Sequence, residues 1–106
     1  MITWHRITGF DWDAGNERKN AERHQVNQAE AEQVFFNQPL LILQDRKHSQ
    51  QEARYHALGQ SDAARLLHIT FTLRSDDTLV RIISVRDMHR KERVFYDRQS
   101  KKNTLI

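Results

Sequence analysis

Residues 67–86 have the sequence LHITFTLR-SDDT-LVRIISVR. In its first part apolar residues alternate with polar ones, which is the period-two pattern of a strand with one buried and one exposed face. The SDDT segment is typical of a turn, and residues 79–86 supply the hairpin partner. This stretch therefore predicts two paired antiparallel strands at the centre of the fold.

The second strand of this hairpin contains arginines within and at the end of its hydrophobic run. Arg81 and Arg86 flank Ile82-Ile83-Ser84-Val85, and an arginine is costly to place in a half-buried strand unless its guanidinium is paired or meets a ligand. The planar fork of N–H donors suits phosphate and carboxylate. In a regular strand Arg81 and Arg86 point to opposite faces, so they share one phosphate only if a bulge or a strand end intervenes.

Composition predicts one domain with a modest core, because the chain has 106 residues of which 38% are hydrophobic. We expect the domain to span residues 1–98 and residues 99–106 to form a flexible tail. Cysteine is absent, which excludes disulfides and thiolate metal sites and fits a reducing compartment. We expect a cytoplasmic protein, since neither a secretory signal nor a membrane-length apolar run is visible.

The positive charge lies towards the C-terminus. Residues 74–106 contain nine Lys and Arg against five acids, whereas the rest of the chain has eight against nine. Such a distribution could give one basic face, although a solvated helix is the commoner explanation of a charge run.

The chain before the hairpin predicts a strand and two helices. Residues 2–12 alternate loosely and predict a strand, and Asp13 is a plausible N-cap for a helix over about 14–23. Asn27 starts a second helix in a capping-box-like spacing with Glu30. Its predicted buried stripe consists of Ala31, Val34 and Phe35.

Three further elements complete the prediction. Strands are expected over 40–44 and over 54–58, the latter ended by Gly59, and Asp87 is a plausible cap for a last helix through about Arg98. The order strand, helix, helix, strands, helix is an α+β fold in which helices cover a sheet.

Four blocks of sequence, in this order, resemble the BrnT toxins of bacterial type II toxin–antitoxin systems. They are Phe10-Asp11-Trp12-Asp13; Asn20 with Arg23-His24-Gln25-Val26; Glu30-Ala31 with Val34-Phe35 and Pro39; and Arg74 with Arg81 to Arg86, Glu92-Arg93 and Tyr96. The resemblance covers nearly the whole chain.

The resemblance implies a RelE-like fold, a compact antiparallel sheet covered by helices. It also implies metal-independent RNA cleavage that halts translation, with no cofactor. The implied partner is a BrnA-like ribbon-helix-helix antitoxin, in a two-plus-two complex that binds operator DNA.

Metal-independent RNA cleavage needs a base for the 2′-hydroxyl, cations for the transition state and an acid for the 5′-oxygen. His24 lies in a matching block and is a candidate acid or base, although a histidine at a helix C-terminus can be purely structural. The candidate transition-state cations are Arg54, Arg74 and Arg81, for which structural ion pairs are the alternative. The possible supporting residues are Arg23, Ser84, Arg86 and Glu92.

Other polar and aromatic residues receive structural interpretations. His68 lies on the polar face of the central strand, where we expect a solvated or hydrogen-bonded imidazole. Phe10 and Trp12 are expected in the core. The remaining histidines show no spacing typical of a metal site.

Four positions depart from the family pattern, one of which is Ala14, where the family usually has Pro. Asn16 and Arg23 stand where the family usually has Lys, and arginine cannot act as a base because its pKa is above about 12. Gln25 stands where the family has Gly, so the helix end must accept a residue with a Cβ atom.

Two alternative functions therefore stay open: a nucleic-acid-binding protein without catalysis, and a degenerate toxin that only binds its antitoxin. A cleft that combines His24 with several arginines favours the nuclease. A basic surface with His24 remote from Arg81 favours the binding protein, and arginines paired with internal carboxylates favour the degenerate toxin.

Overall fold

The computed structural model describes residues 2–13, 15, 24–48 and 51–104. Its elements are a 3-10 helix Trp4–Arg6, strand β1 Gly9–Asp11, helix α1 Gln28–Val34, strands β2 Leu41–Asp45, β3 Arg54–Gln60, β4 Leu66–Arg74 and β5 Leu79–Asp87, and helix α2 Arg90–Thr104. The helix predicted over 14–23, with Asn16 and Arg23, lies outside the described residues apart from Gly15.

The five strands form one mixed sheet in the order β1-β5-β4-β3-β2. The central hairpin β4–β5 is confirmed, with Arg74 opposite Leu79. The prediction of an antiparallel sheet is wrong at one edge, because β1 runs parallel to β5. A short strand pattern encodes the faces of a strand but not the direction of its partner, so only the fold decides this pairing.

The long N-terminal strand predicted over 2–12 is also wrong, since only Gly9–Asp11 pairs with the sheet. Residues Trp4–Arg6 form a 3-10 helix instead. The aromatic side chains of this segment contribute to the core as predicted, since Phe10 and Trp12 are partly buried and pack against it.

The main core lies between α1 and one face of the sheet. Ala31 and Val34 from α1 are fully buried against residues of the three central strands: Ala57, Leu67, Ile69, Phe71, Val80, Ile82 and Val85. A smaller cluster holds α2 on the opposite face, through Leu58, Met88 and Tyr96. The two clusters use adjacent residues of β3, which point to opposite faces of a strand.

A β-bulge in β5 reverses the side-chain alternation of that strand. Thr70 is paired with Ser84 but Phe71 with Ile82, so one residue of β5 is extra. Ile82 and Val85 are consequently both buried, and Arg81 and Arg86 both point to the other face. The bulge is one of the two conditions under which we expected Arg81 and Arg86 to share a face, and the two side chains do share it.

Of two local predictions for α1 and β3, the N-cap of α1 is confirmed and the end of β3 is wrong. The carboxamide oxygen of Asn27 accepts the backbone N–H of Glu30 at 2.7 Å, which confirms the predicted N-cap. Gly59 does not end its strand, which continues to Gln60. A Cβ atom at Gly59 would lie 2.7 Å from Val34 Cγ1, so the glycine allows α1 to approach the sheet closely.

The last helix differs from its prediction at both ends. It begins at Arg90, and its N-terminus is capped by Glu92, whose carboxylate accepts the backbone N–H of His89 at 2.8 Å. Asp87 binds Arg65 instead of capping the helix. The helix continues to Thr104 rather than to about Arg98, so residues 99–104 belong to it.

Candidate active site

Basic and polar side chains occupy the face of the sheet opposite α1, which we call the polar face. The register places them in successive cross-strand pairs of β4 and β5: His68 with Arg86, Thr70 with Ser84, Thr72 with Arg81, and Arg74 with Leu79. His56 faces Thr70 from β3, and Arg54 lies two residues before His56 on the same face. Because of the bulge in β5, Arg86 points to the same side of the sheet as Arg81.

A cleft of about 640 Å³ opens on this face, between α2 and the strands. Its basic and acidic groups are Arg86, Lys91 and Glu92, and its apolar groups are Leu43, Leu58 and Phe95. His56, His68, Thr70 and Ser84 complete the lining. The cleft thus combines cations, imidazoles and an apolar surface within a volume typical of small-ligand sites.

Arg86 is held in one orientation by Glu92. Two of its N–H groups donate to the two carboxylate oxygens at 2.8 and 3.0 Å, and a third bond runs to the Asp87 carbonyl. The hydrogen bonds from Arg86 lower the pKa of Glu92 to about 2, so this carboxylate is ionised at neutral pH. Glu92 is therefore a poor proton acceptor and serves to orient the arginine.

His68 is buried beside this pair, which corrects the expectation of a solvated histidine. Its residue is only 8% exposed, and its Nδ1 has no hydrogen-bond partner among the described residues. Burial and the charge of Arg86 lower the pKa of His68 to about 4. The imidazole is thus neutral at pH 7, with its Nε2 3.8 Å from the Glu92 carboxylate.

His56 belongs to a hydrogen-bonded chain on the floor of the cleft. Its Nε2 lies 3.0 Å from Asp45 Oδ2 and its Nδ1 3.2 Å from Thr70 Oγ. Asp45 also contacts His48 Nδ1, at 3.0 Å. The ring centroids of His56 and His68 are 4.8 Å apart, so the chain fixes the imidazole that lies next to His68.

The predicted transition-state arginines, Arg54, Arg74 and Arg81, lie further along the polar face. Arg81 contacts Asp11 and Asp13 at 3.2 and 3.4 Å. Arg74 forms an ion pair with Glu52. Arg54 faces a smaller hollow that also includes Glu52.

His24 lies at a different part of the molecule from Arg81. Its carbonyl accepts a hydrogen bond from Arg65 at 2.9 Å, and Arg65 also binds the Asp87 carboxylate in a two-pronged pair. Arg81 is six residues before Asp87 in β5, roughly 18 Å along the strand. The fold therefore does not bring these two predicted catalytic residues into one cleft, and this separation is the arrangement that favours a nucleic-acid-binding protein without catalysis.

From the sequence, His68 received only a structural interpretation, and neither Lys91 nor Arg65 was indicated as a candidate site residue. The alternation of β4 placed His68 on the polar face of the strand, but it gave no sign that α2 covers this part of the face. Lys91 and Glu92 follow each other on α2, and only the docking of that helix directs both into the cleft. No local signal marked Arg65, because its partners Glu30 and Asp87 are distant in sequence.

Two comparisons with known proteins give matches. Residues 12–92 match a model of the family described as "Ribonuclease toxin, BrnT, of type II toxin-antitoxin system". The crystal structure of the Brucella abortus ribonuclease toxin BrnT is similar to this fold with a TM-score of 0.60. The two chains are 15% identical, and the similarity covers 79% of this chain and 100% of the other. No curated protein matches the sequence.

The helices of the described residues differ from membrane spans in length and composition. None of them is both long enough and apolar enough to cross a bilayer.

Proposed function

The chain belongs to the family of BrnT ribonuclease toxins of type II toxin–antitoxin systems, and from this premise we propose that it is a metal-independent endoribonuclease whose active site is the cleft between α2 and the sheet. The observation that carries this proposal is the position of Arg86, Lys91 and the neutral His68 on one cleft. Guanidinium and ammonium groups bind phosphate, and a neutral imidazole accepts a proton.

The proposed reaction uses the 2′-hydroxyl of the RNA as its nucleophile. His68 takes the proton of this hydroxyl, the 2′-oxygen attacks the adjacent phosphorus, and the bond from phosphorus to the 5′-oxygen breaks. The products are a 2′,3′-cyclic phosphate and a chain with a free 5′-hydroxyl, which requires one proton from a general acid. Arg86 and Lys91 offset the negative charge that accumulates on the phosphoryl oxygens.

Substrate binding should improve His68 as a base. A phosphate next to the imidazole favours its protonated form and raises its pKa from about 4 towards neutrality. Glu92 holds the guanidinium of Arg86 in a fixed orientation. Three of the five N–H donors of Arg86 are used by Glu92 and the Asp87 carbonyl, so two stay available to the phosphate. The polar face beyond the cleft, with Arg54, Arg74 and Arg81, would hold neighbouring phosphates of the same strand.

The test is cleavage of purified single-stranded RNA in EDTA. We expect wild type to cleave, His68→Gln and Arg86→Ala to lose at least 100-fold in rate, and the control Arg98→Ala, an exposed change on α2, to cleave normally. His24→Ala and Arg81→Ala, measured in the same series, decide whether the sequence-based candidates act in catalysis. Full activity of both His68→Gln and Arg86→Ala would remove the cleft as the active site.

A second candidate function is a degenerate toxin that binds its antitoxin without cleaving RNA. The ion pairs of Arg74, Arg81 and Arg86 with carboxylates favour it, because an arginine occupied by an internal acid is less available to a phosphate. A folded wild-type protein that neither cleaves RNA nor arrests growth when expressed, but still binds the antitoxin, would establish this alternative.

The remaining steps of the proposal follow from the toxin family. RNA cleavage would inhibit translation in the cytoplasm, and a BrnA-like ribbon-helix-helix antitoxin would neutralise it in a two-plus-two complex that binds operator DNA. Co-expression of toxin and antitoxin followed by light scattering of the purified complex measures the stoichiometry, and a gel-shift assay with operator DNA tests the repressor role.

A further inference from the structure

The cleft has an apolar part that phosphate chemistry does not require. Phe95 projects into it from α2 and Leu43 from the edge strand β2, and these side chains belong to residues that are 39% and 42% exposed. Leu58, which is buried, is the third apolar residue of the lining. Apolar side chains that converge on a cleft and stay open to water are typical of a surface that a ligand or a partner covers.

This apolar surface lies in the same cleft as the cationic groups. Phe95 is three residues after Glu92 and four after Lys91 on α2, so the three side chains lie on one side of that helix. The ring of His56, held by Asp45 and Thr70, adds a second flat surface. A ligand that fills the whole cleft must therefore offer an anion to Arg86 and Lys91 and a flat, apolar group to Phe95.

We propose that Phe95 and Leu43 form a nucleobase subsite, on which one unstacked base of a single-stranded nucleic acid lies while its own phosphate binds Arg86 and Lys91. This inference rests on the proposed function, for which it names the substrate form. Bases present a π-face that stacks on an aromatic ring whatever their identity. In a duplex the bases are stacked on each other, so the subsite selects single-stranded RNA.

The experiment compares two probes that differ only in the base: adenosine 5′-monophosphate and ribose 5-phosphate. Binding of each is measured by NMR titration to wild type and to Phe95→Ala, Leu43→Ala and Val94→Ala. Val94 is a matched control, because it is the neighbouring residue on α2, is 50% exposed and is not part of the cleft lining.

We expect wild type and Val94→Ala to bind the nucleotide about tenfold more tightly than the sugar phosphate. Phe95→Ala should abolish this difference, and Leu43→Ala should reduce it, while affinity for ribose 5-phosphate stays the same. Equal binding of the two probes by wild type, or a difference that survives Phe95→Ala, overturns the subsite. RNA cleavage by wild type is scored separately: an inactive protein that still distinguishes the probes refutes the nuclease and leaves the subsite standing.

Discussion

Arg86 and Glu92 join the end of β5 to the first turn of α2 through two parallel hydrogen bonds of 2.8 and 3.0 Å. Glu92 Oε1 also accepts the backbone N–H of His89, so one carboxylate caps the helix and orients the guanidinium. Both side chains are about three-quarters buried. The position of α2, and with it the shape of the cleft, depends on this pair.

We predict that Glu92→Gln lowers the free energy of unfolding by about 1 to 2 kcal/mol. The carboxamide oxygen still accepts from His89, but the charge opposite Arg86 and one of the two acceptors are lost. Urea denaturation measures the change. Asp97→Asn is the matched control, because Asp97 pairs with Lys101 on the exposed side of α2 and should contribute less than about 0.5 kcal/mol. Equal losses in both variants would contradict the role given to Glu92.

We predict a loss of stability in mild acid that depends on His68. The pKa of His68 is about 4 in the folded protein and 6.5 as its ordinary value, so below pH 6.5 the unfolded chain binds a proton that the folded protein does not bind. Stability is therefore complete above pH 6.5 and decreases as the pH falls towards 4. Glu92, whose ordinary pKa is 4.5, adds its own loss of stability only below about pH 5.5, so above that pH the effect belongs to His68.

Thermal unfolding of His68→Gln at several pH values tests this dependence. The melting temperature of the variant should change less between pH 6.5 and 4.5 than that of wild type. His5→Gln, a change at an exposed histidine, should keep the wild-type profile. An unchanged slope in His68→Gln would show that the buried imidazole is not the group responsible.

We predict that Gly59→Ala destabilises the protein by about 1 to 3 kcal/mol. The added Cβ atom would lie 2.7 Å from Val34 Cγ1, and the β-branched valine has little freedom to move away. Gly9→Ala is the control, since its Cβ atom would make an ordinary 3.7 Å contact with Leu79. Chemical denaturation of both variants should separate them, and similar stabilities would refute the close approach of α1 to β3.

We predict that Gln25→Gly stabilises the protein by about 1 kcal/mol. Gln25 has a φ of 54°, in the left-handed region where a Cβ atom is strained and glycine is not. This is the position at which the resemblance to the toxin family implies a glycine. Ala29→Gly, an exposed change inside α1, should instead destabilise by about 0.5 to 1 kcal/mol. A loss of stability in Gln25→Gly would contradict the assigned backbone conformation.

Local patterns were sufficient for the elements whose stability is decided by neighbouring residues. The alternation around Phe71 predicted β4, and the spacing of Asn27 and Glu30 predicted the start of α1, because a cap and a strand face are each defined within a few residues. The same reasoning misassigned Asp87, whose carboxylate is bound by Arg65 from the segment just before β4.

The family was predictable from the sequence, whereas the arrangement of the candidate site was not. Arginines on a hydrophobic strand indicated phosphate chemistry, and the resemblance to a toxin family, which the family match bears out, gave the class of reaction. The roles of His24, Arg54, Arg74 and Arg81 stay predictions. His68 is a candidate that the fold adds, and Arg86 was expected only in a supporting role. The two residues lie opposite each other in one cleft because of the bulge in β5 and the docking of α2.

Residue types at short or fixed spacings were sufficient to predict the central hairpin, the α1 cap, the α+β class and the family. The tertiary structure alone decided three further features: the parallel pairing of β1 with β5, the common face of Arg81 and Arg86, and the burial of His68 under α2. These features depend on contacts between residues far apart in the chain, and one inserted residue in β5 is enough to turn a side chain to the other face of the sheet.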